Sequence, residues 1–191
     1  MPPSPSPSPS PSALLRLTQA LTIALLTSTS GLTLSLSTLL IPRLLESPTP
    51  LLTLQFQRTL QRTRRLLTLL ALVPSFAHIY LAYLLPSKAR AYAIAAAVSL
   101  SAMPWGFVAM GTMERQMEGR ARWVDVKARG GVDGGKEVFV EGFIEEEGLG
   151  EVIAEGAPTA HAIVDAWAVR NLYRPVAAFA AGCIGLYAAL S

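Results

Sequence analysis

Leu17 to Ile41 (LTQALTIALLTSTSGLTLSLSTLLI) runs for 25 residues without a charged side chain. Leu66 to Leu85 (LLTLLALVPSFAHIYLAYLL) and Ala91 to Met113 (AYAIAAAVSLSAMPWGFVAMGTM) repeat the pattern over 20 and 23 residues. At about 1.5 Å per residue in a helix, each is long enough to cross a hydrocarbon core about 30 Å thick. Lipid leaves no partner for unpaired backbone amides, so such runs span as helices. The last apolar run, Pro175 to Leu190, has only 16 residues. To span, its helix has to begin near Asp165 or Trp167 and take in WAVRNLYR. The expected fold is therefore all-α, a four-span transmembrane bundle with spans near 17–41, 66–85, 91–113 and 166–190.

Composition agrees. The chain is 51% hydrophobic and only 15% charged, with a mean hydropathy of +0.41, whereas a soluble domain carries about 25% charged residues. Residues 1–12 (MPPSPSPSPSPS) repeat Pro and Ser without an apolar period and read as a disordered tail. No small-residue cleavage pattern follows, so the first span reads as an anchor. The charged, Gly-rich segment 114–160 reads as a long extramembrane insertion, with KEVFVEGFIEEE as a short strand or surface turn. Residues 13–191 then form one membrane domain.

The basic residues set an orientation. Arg43, Arg58, Arg62, Arg64 and Arg65 lie between spans one and two, and Arg115, Arg120, Arg122, Lys127, Arg129 and Lys136 follow span three. The opposite side has Arg16, Lys88 and Arg90. The basic connections are accordingly expected in the cytosol and both termini across the membrane, which for a eukaryotic chain without a cleavable signal means the endoplasmic reticulum or another endomembrane. Leu54–Arg65 should be helix continuing into span two, with its arginines at the headgroups. The arginines form no basic face interleaved with aromatics, so nucleic acid is not an expected partner.

Helical spacing places Thr27, Gly31, Ser35 and Thr38 on one face of span one, a small-residue stripe suited to close packing. Pro74 and Pro104 should kink spans two and three and free carbonyls. Polar groups inside the spans carry most information, because the bilayer penalises them. His78 lies in span two with Tyr80 and Tyr83 nearby, and Trp105 sits in span three. Trp167, Asn171 and Arg174 share a face of span four at i, i+4 and i+7. Either they anchor at the headgroups, or they wall a site in which Arg and Asn bind an anionic oxygen and Trp stacks on a flat ring. His161 and Asp165, at i and i+4, can pair. Arg170 points away from that face and reads as a snorkelling anchor.

Nothing in the chain resembles a nucleotide loop, a catalytic triad or a metal set. Cys183 is the single cysteine, so no disulfide or thiolate cluster forms within the chain. His78 inside a span and His161 at an edge differ in depth, which argues against a bis-histidine haem. Any enzyme here is therefore expected to work with no cofactor and no metal.

Three stretches resemble the DUF1772 type, the four-span anthrone oxygenase-like proteins of fungal polyketide pathways and bacteria. These are GLTLSLSTLLIP closing span one, SAMPWGFVAMGTMERQM closing span three, and IVDAWAVRNLYR, with its Trp-x3-Asn-x2-Arg pattern, opening span four. The chain departs at Gly106, where the family tends to Thr, and at Glu114, where Asn is usual. The resemblance implies cofactor-free oxidation of an anthrone to an anthraquinone with O2. On residue chemistry, the expected catalytic groups are His78 as base with Asn171 and Arg174 on the phenolate oxygen, and the His161–Asp165 pair is the second choice of base. Trp167, Tyr80 and Trp105 are the expected substrate contacts. Expected partners are a small hydrophobic aromatic substrate, O2 and the bilayer, with a homo-oligomer left open. The alternatives are a non-catalytic scaffold or carrier for a hydrophobic metabolite or partner helix, and a haem or quinone redox subunit.

Overall fold

Proline and serine decide where the helices break. Pro48 holds φ −57° and ψ 148°, outside the helical region, so the chain turns at Ser47–Pro48. Leu85 is pushed to φ −122°, ψ 77° ahead of Pro86, as the ring clash of a following proline demands. The computed structural model describes residues 13–130 and 158–191, and among them four helices are long and apolar enough to cross a membrane. They are α1 (Ala13–Leu45), α2 (Thr49–Leu84), α3 (Pro86–Arg122) and α4 (Ala160–Leu190). Each packs on its sequence neighbour and α4 closes the ring against α1, the antiparallel arrangement that short connections produce.

The basic end is built from the end of α1, the start of α2, the end of α3 and the start of α4. Ile41, Leu52, Phe56, Met117, Val164 and Trp167 bury one another there. Leu26, Ala178 and Ala181 pack in the middle, and Leu81, Tyr92 and Ala188 at the far end. Past Pro175, the buried positions of α4, Ala177, Ala178, Ala181, Gly182, Gly185 and Ala188, are all small, which lets the neighbouring backbones approach.

Several boundaries differ from expectation. Helix continues past α3 as far as Gly130, so the segment from Glu114 is not loop throughout. It carries Met117, Ala121 and Val124 on a buried stripe, a helical period masked by its many charges. Helix α4 starts at Ala160, where the Thr159 side chain accepts a hydrogen bond from the Ala162 amide at 3.2 Å and caps the first turn. Residues 1–12 and the KEVFVEGFIEEE stretch lie outside the described residues. Leu54–Arg65 is helical within α2, as its sequence indicates.

The small-residue stripe proposed for α1 needs correction. Thr27, Gly31, Ser35 and Thr38 face outward, their hydroxyls bonded back to carbonyls of the same helix. The packed face is Thr22, Leu26, Thr29, Thr33 and Ser37. Thr and Ser occupy both faces of this helix, so polarity alone does not distinguish them.

The prolines act as expected in one case and differently in another. Helix α2 continues through Pro74 without a break. The missing Pro74 amide frees the carbonyl four residues back, Leu70, and the Thr29 hydroxyl of α1 comes within 3.4 Å of that oxygen. After Pro104, α3 widens into a π turn over Gly106–Met110, and α1 has a second π turn at Leu36–Leu40 just before Pro42. Such turns are enriched at functional sites.

Candidate functional site

Arg174 stands where three features of its surroundings make room for a guanidinium. Its Nη1 donates to Asn171 Oδ1 at 3.4 Å, one turn earlier on α4. Asn171, fully buried, is itself fixed by α1: its Nδ2 donates to Ser37 Oγ at 2.8 Å and reaches the Thr33 carbonyl at 3.4 Å. Gly106 supplies the third feature. A Cβ at that position would overlap Arg174 Nη2, so the missing side chain opens the space in which the guanidinium lies.

Facing Arg174 is a cavity of about 390 Å³, within the usual size range of small-molecule sites. All four helices line it. Leu26, Ser99 and Ala178 form its inner end, and Gln57, Gln61, Arg64, Arg115 and Glu118 its outer end toward the basic connections. Beneath the inner end Ser99 and Ser75 share a hydrogen bond of 2.5 Å, joining α3 to α2 as a polar floor. Toward the mouth, Gln57 Oε1 is buried without a protein partner among the described residues.

Glu114 is the carboxylate deepest in this cavity. The Trp167 Nε1 donates to Glu114 Oε1 at 3.3 Å, while the side chain also borders the cavity. Glu114 and Arg174 line the same cavity, although no direct ion pair joins the two among the described residues. A cation that can hold an anionic oxygen and a carboxylate that can take a proton therefore face one cavity, open at its outer end.

Several residues singled out from sequence play other parts. Trp167 is only 2% exposed, packs edge-on against Phe56 with ring centroids 5.3 Å apart, and does not border the cavity. It orients Glu114 and offers no stacking wall. Asn171 likewise does not border the cavity and acts by fixing Arg174. Tyr80 is 52% exposed on the outside of the bundle. Trp105 lies on the outer face against Tyr173, centroids 4.7 Å apart, and its Nε1 donates to the Arg170 carbonyl at 3.0 Å. Neither aromatic borders the cavity, so the substrate contacts assigned to Trp167, Tyr80 and Trp105 are corrected on geometry. The helical spacing of Trp167, Asn171 and Arg174 indicated a shared face but not the direction of that face.

His78 is separated from the site. It is 1% exposed, against Tyr92 and Gly185. Gly185 follows Arg174 by 11 residues on α4, about 16 Å along a helix at 1.5 Å per residue. The expectation that His78 reaches a substrate held by Arg174 is therefore corrected. His161 does not pair with Asp165; its Nε2 lies 3.2 Å from the Ser47 carbonyl and ties α4 to the α1–α2 turn. Arg170 donates to the Ala109 carbonyl at 2.8 Å, inside the π turn of α3, so it is a structural cap more than a free headgroup anchor.

Gly106 and Glu114 appeared in the sequence only as departures from a familiar pattern. The available signal was the spacing of Glu114 and Glu118, one turn apart on α3, which line the cavity together with Arg174. No group of three or more metal-ligating side chains assembles among the described residues. No family model matches the chain, and comparisons with curated proteins and with solved structures find no significant match.

Proposed function

We propose that this membrane protein is a cofactor-independent oxygenase that converts an anthrone-like polyketide to an anthraquinone, with Arg174 and Glu114 as its chemical groups. The observation that carries this reading is the cavity between the spans, lined by all four helices, onto which a guanidinium and a carboxylate both face. Headgroup anchors would need no cavity and no buried Asn171 behind the arginine.

The chemistry asks little of the protein because the substrate activates itself. Glu114 takes a proton from the acidic methylene, leaving an electron-rich enolate whose oxygen binds Arg174. The enolate passes one electron to O2, and the resulting carbon radical and superoxide combine to form a C–O bond. Protonation gives a hydroperoxide at that carbon. Loss of its remaining C–H proton and cleavage of the O–O bond yield the ketone and water. Each CH2 thus consumes one O2 and gives one C=O and one H2O, so no external reductant is needed. The resemblance at IVDAWAVRNLYR supports the substrate class, and the Lys and Arg of the basic connections support an orientation with those connections in the cytosol.

The test is expression in a host lacking the activity, with emodin anthrone added and quinone followed over time. Arg174→Ala should cost about a hundredfold or more in turnover, the scale of losing one oxyanion donor. Glu114→Gln should cost about a hundredfold or more as a lost general base. Equal rates for wild type and Arg174→Ala above the spontaneous background would sink the enzyme reading. Saturable binding of emodin without turnover would leave a carrier of hydrophobic metabolites in its place.

A further inference from the structure

A second hollow lies on the outside of the bundle, between α1 and α2. It is walled by Leu32, Ser35, Leu36, Leu39 and Leu40 of α1, by Thr63, Leu66 and Leu67 of α2, and by Arg43 at one end. Two of these residues, Thr63 and Leu67, also line the inner cavity. On α1 the two spaces take different faces, Leu26, Thr29 and Thr33 inside against Leu32, Ser35 and Leu36 outside. The groove and the cavity are thus separated by one layer of side chains.

We propose that this groove is the lateral entrance to the cavity, through which a bilayer-dissolved, uncharged aromatic substrate passes between α1 and α2 by displacing Leu67. The inference deepens the proposed function, on which it relies for the identity of the cargo.

The chemistry of the wall selects that cargo. The polar side chains midway along the groove are already satisfied: Ser35 Oγ donates to the Gly31 carbonyl and Thr63 Oγ1 to the Thr59 carbonyl, both at 2.8 Å. Apart from Arg43, the groove offers leucine surface and no partner for water or ions. The outer end of the inner cavity is the opposite, with Gln61, Arg64 and Glu118 at its rim. The groove lies where the apolar run of α2 begins at Leu66, so an aromatic substrate already concentrated in lipid meets its leucine surface from the side of the bilayer.

The wall can also yield. Thr63 and Leu67 are only half buried, and no hydrogen bond crosses from them to α1 among the described residues. The α1 side of the groove is the Leu36–Leu40 π turn, where the regular hydrogen-bond ladder is already interrupted.

The experiment follows access to the cavity directly. Cys183, exposed on the outside, is replaced by Ala, and Ala102→Cys places a thiol in the cavity wall. The protein in lipid nanodiscs is treated with N-phenylmaleimide, which partitions into the bilayer, or with the charged 2-sulfonatoethyl methanethiosulfonate. Leu36→Trp together with Leu66→Trp fills the groove without touching the cavity and should slow the maleimide about tenfold, as overpacked side chains resist passage. The sulfonate rate should stay unchanged, which also reports that the fold is intact. Leu66→Ala, widening the groove, should speed the maleimide. A maleimide rate indifferent to both groove changes, or no maleimide labelling at all, overturns the lateral route. Failure of the oxygenase reading would show in the Arg174→Ala turnover assay and leave this labelling result standing.

Discussion

His78 and Gly185 show how one residue position can be set by another span. A Cβ on Gly185 would come within 2.6 Å of His78 Nε2, so the imidazole fits only because α4 carries glycine there. Neither ring nitrogen has a hydrogen-bond partner among the described residues, and leaving buried polar groups unsatisfied costs about 1–3 kcal/mol. His78→Leu is therefore expected to hold or raise the thermal midpoint in detergent. Gly185→Ala should lower it, by an overpacking cost of about 1–3 kcal/mol, and the combination should recover most of that loss. Strictly additive midpoints would show that the two residues do not compete for space. From sequence, His78 looked like a base because an intramembrane histidine is rare. Nothing in the sequence indicated that its nearest neighbour on α4 would be a glycine 11 residues past Arg174.

At the level of elements, α1 and α2 are joined through a proline. Pro74 leaves the Leu70 carbonyl without its intrahelical donor, and the Thr29 hydroxyl, which donates to the Leu25 carbonyl of its own helix at 2.7 Å, reaches it as a weaker second branch at 3.4 Å. Thr29→Val should lower stability by about 0.6 kcal/mol, the average for an interhelical hydrogen bond in a membrane protein. Pro74→Ala restores the amide, so Thr29→Val added to it should have a smaller effect than alone. A cycle with no coupling by thermal or denaturant unfolding would remove this link. The elements themselves were legible in the sequence, since uncharged runs bounded by proline and arginine mark spans whatever they pack against. The packed face of α1 was not, because threonines such as Thr27 and Thr29 bond to their own helix on either side. Glu114 was obscured for a related reason. Adjacent to Arg115 and near Glu118, it read as the polar end of a span, whereas α3 continues past it and turns it toward Arg174.

The whole bundle is taller than a bilayer is thick. Helices α2 and α3, of 36 and 37 residues, extend about 54 Å at 1.5 Å per residue, against a hydrocarbon core of about 30 Å. The surplus lies at the basic end, where α2 carries Arg58, Arg62, Arg64 and Arg65 before its apolar run begins. With Cys183→Ala as background, Ser47→Cys should react with a membrane-impermeant maleimide from the cytosolic side of sealed vesicles, and Ser87→Cys from the other side only. Labelling of both from one side would reject the four-span antiparallel arrangement, and exchange of the two sides would reverse the orientation. The floor of the cavity has a consequence at this scale. The bond between Ser75 and Ser99, with the packed Leu26, Ala178 and Ala181, closes the cavity toward the end where α1 begins and α4 ends. The site therefore has sidedness. Its polar rim, Gln61, Arg64, Arg115 and Glu118, opens toward the basic end, so water reaching the cavity from that end meets charged and amide groups before it meets the serine floor.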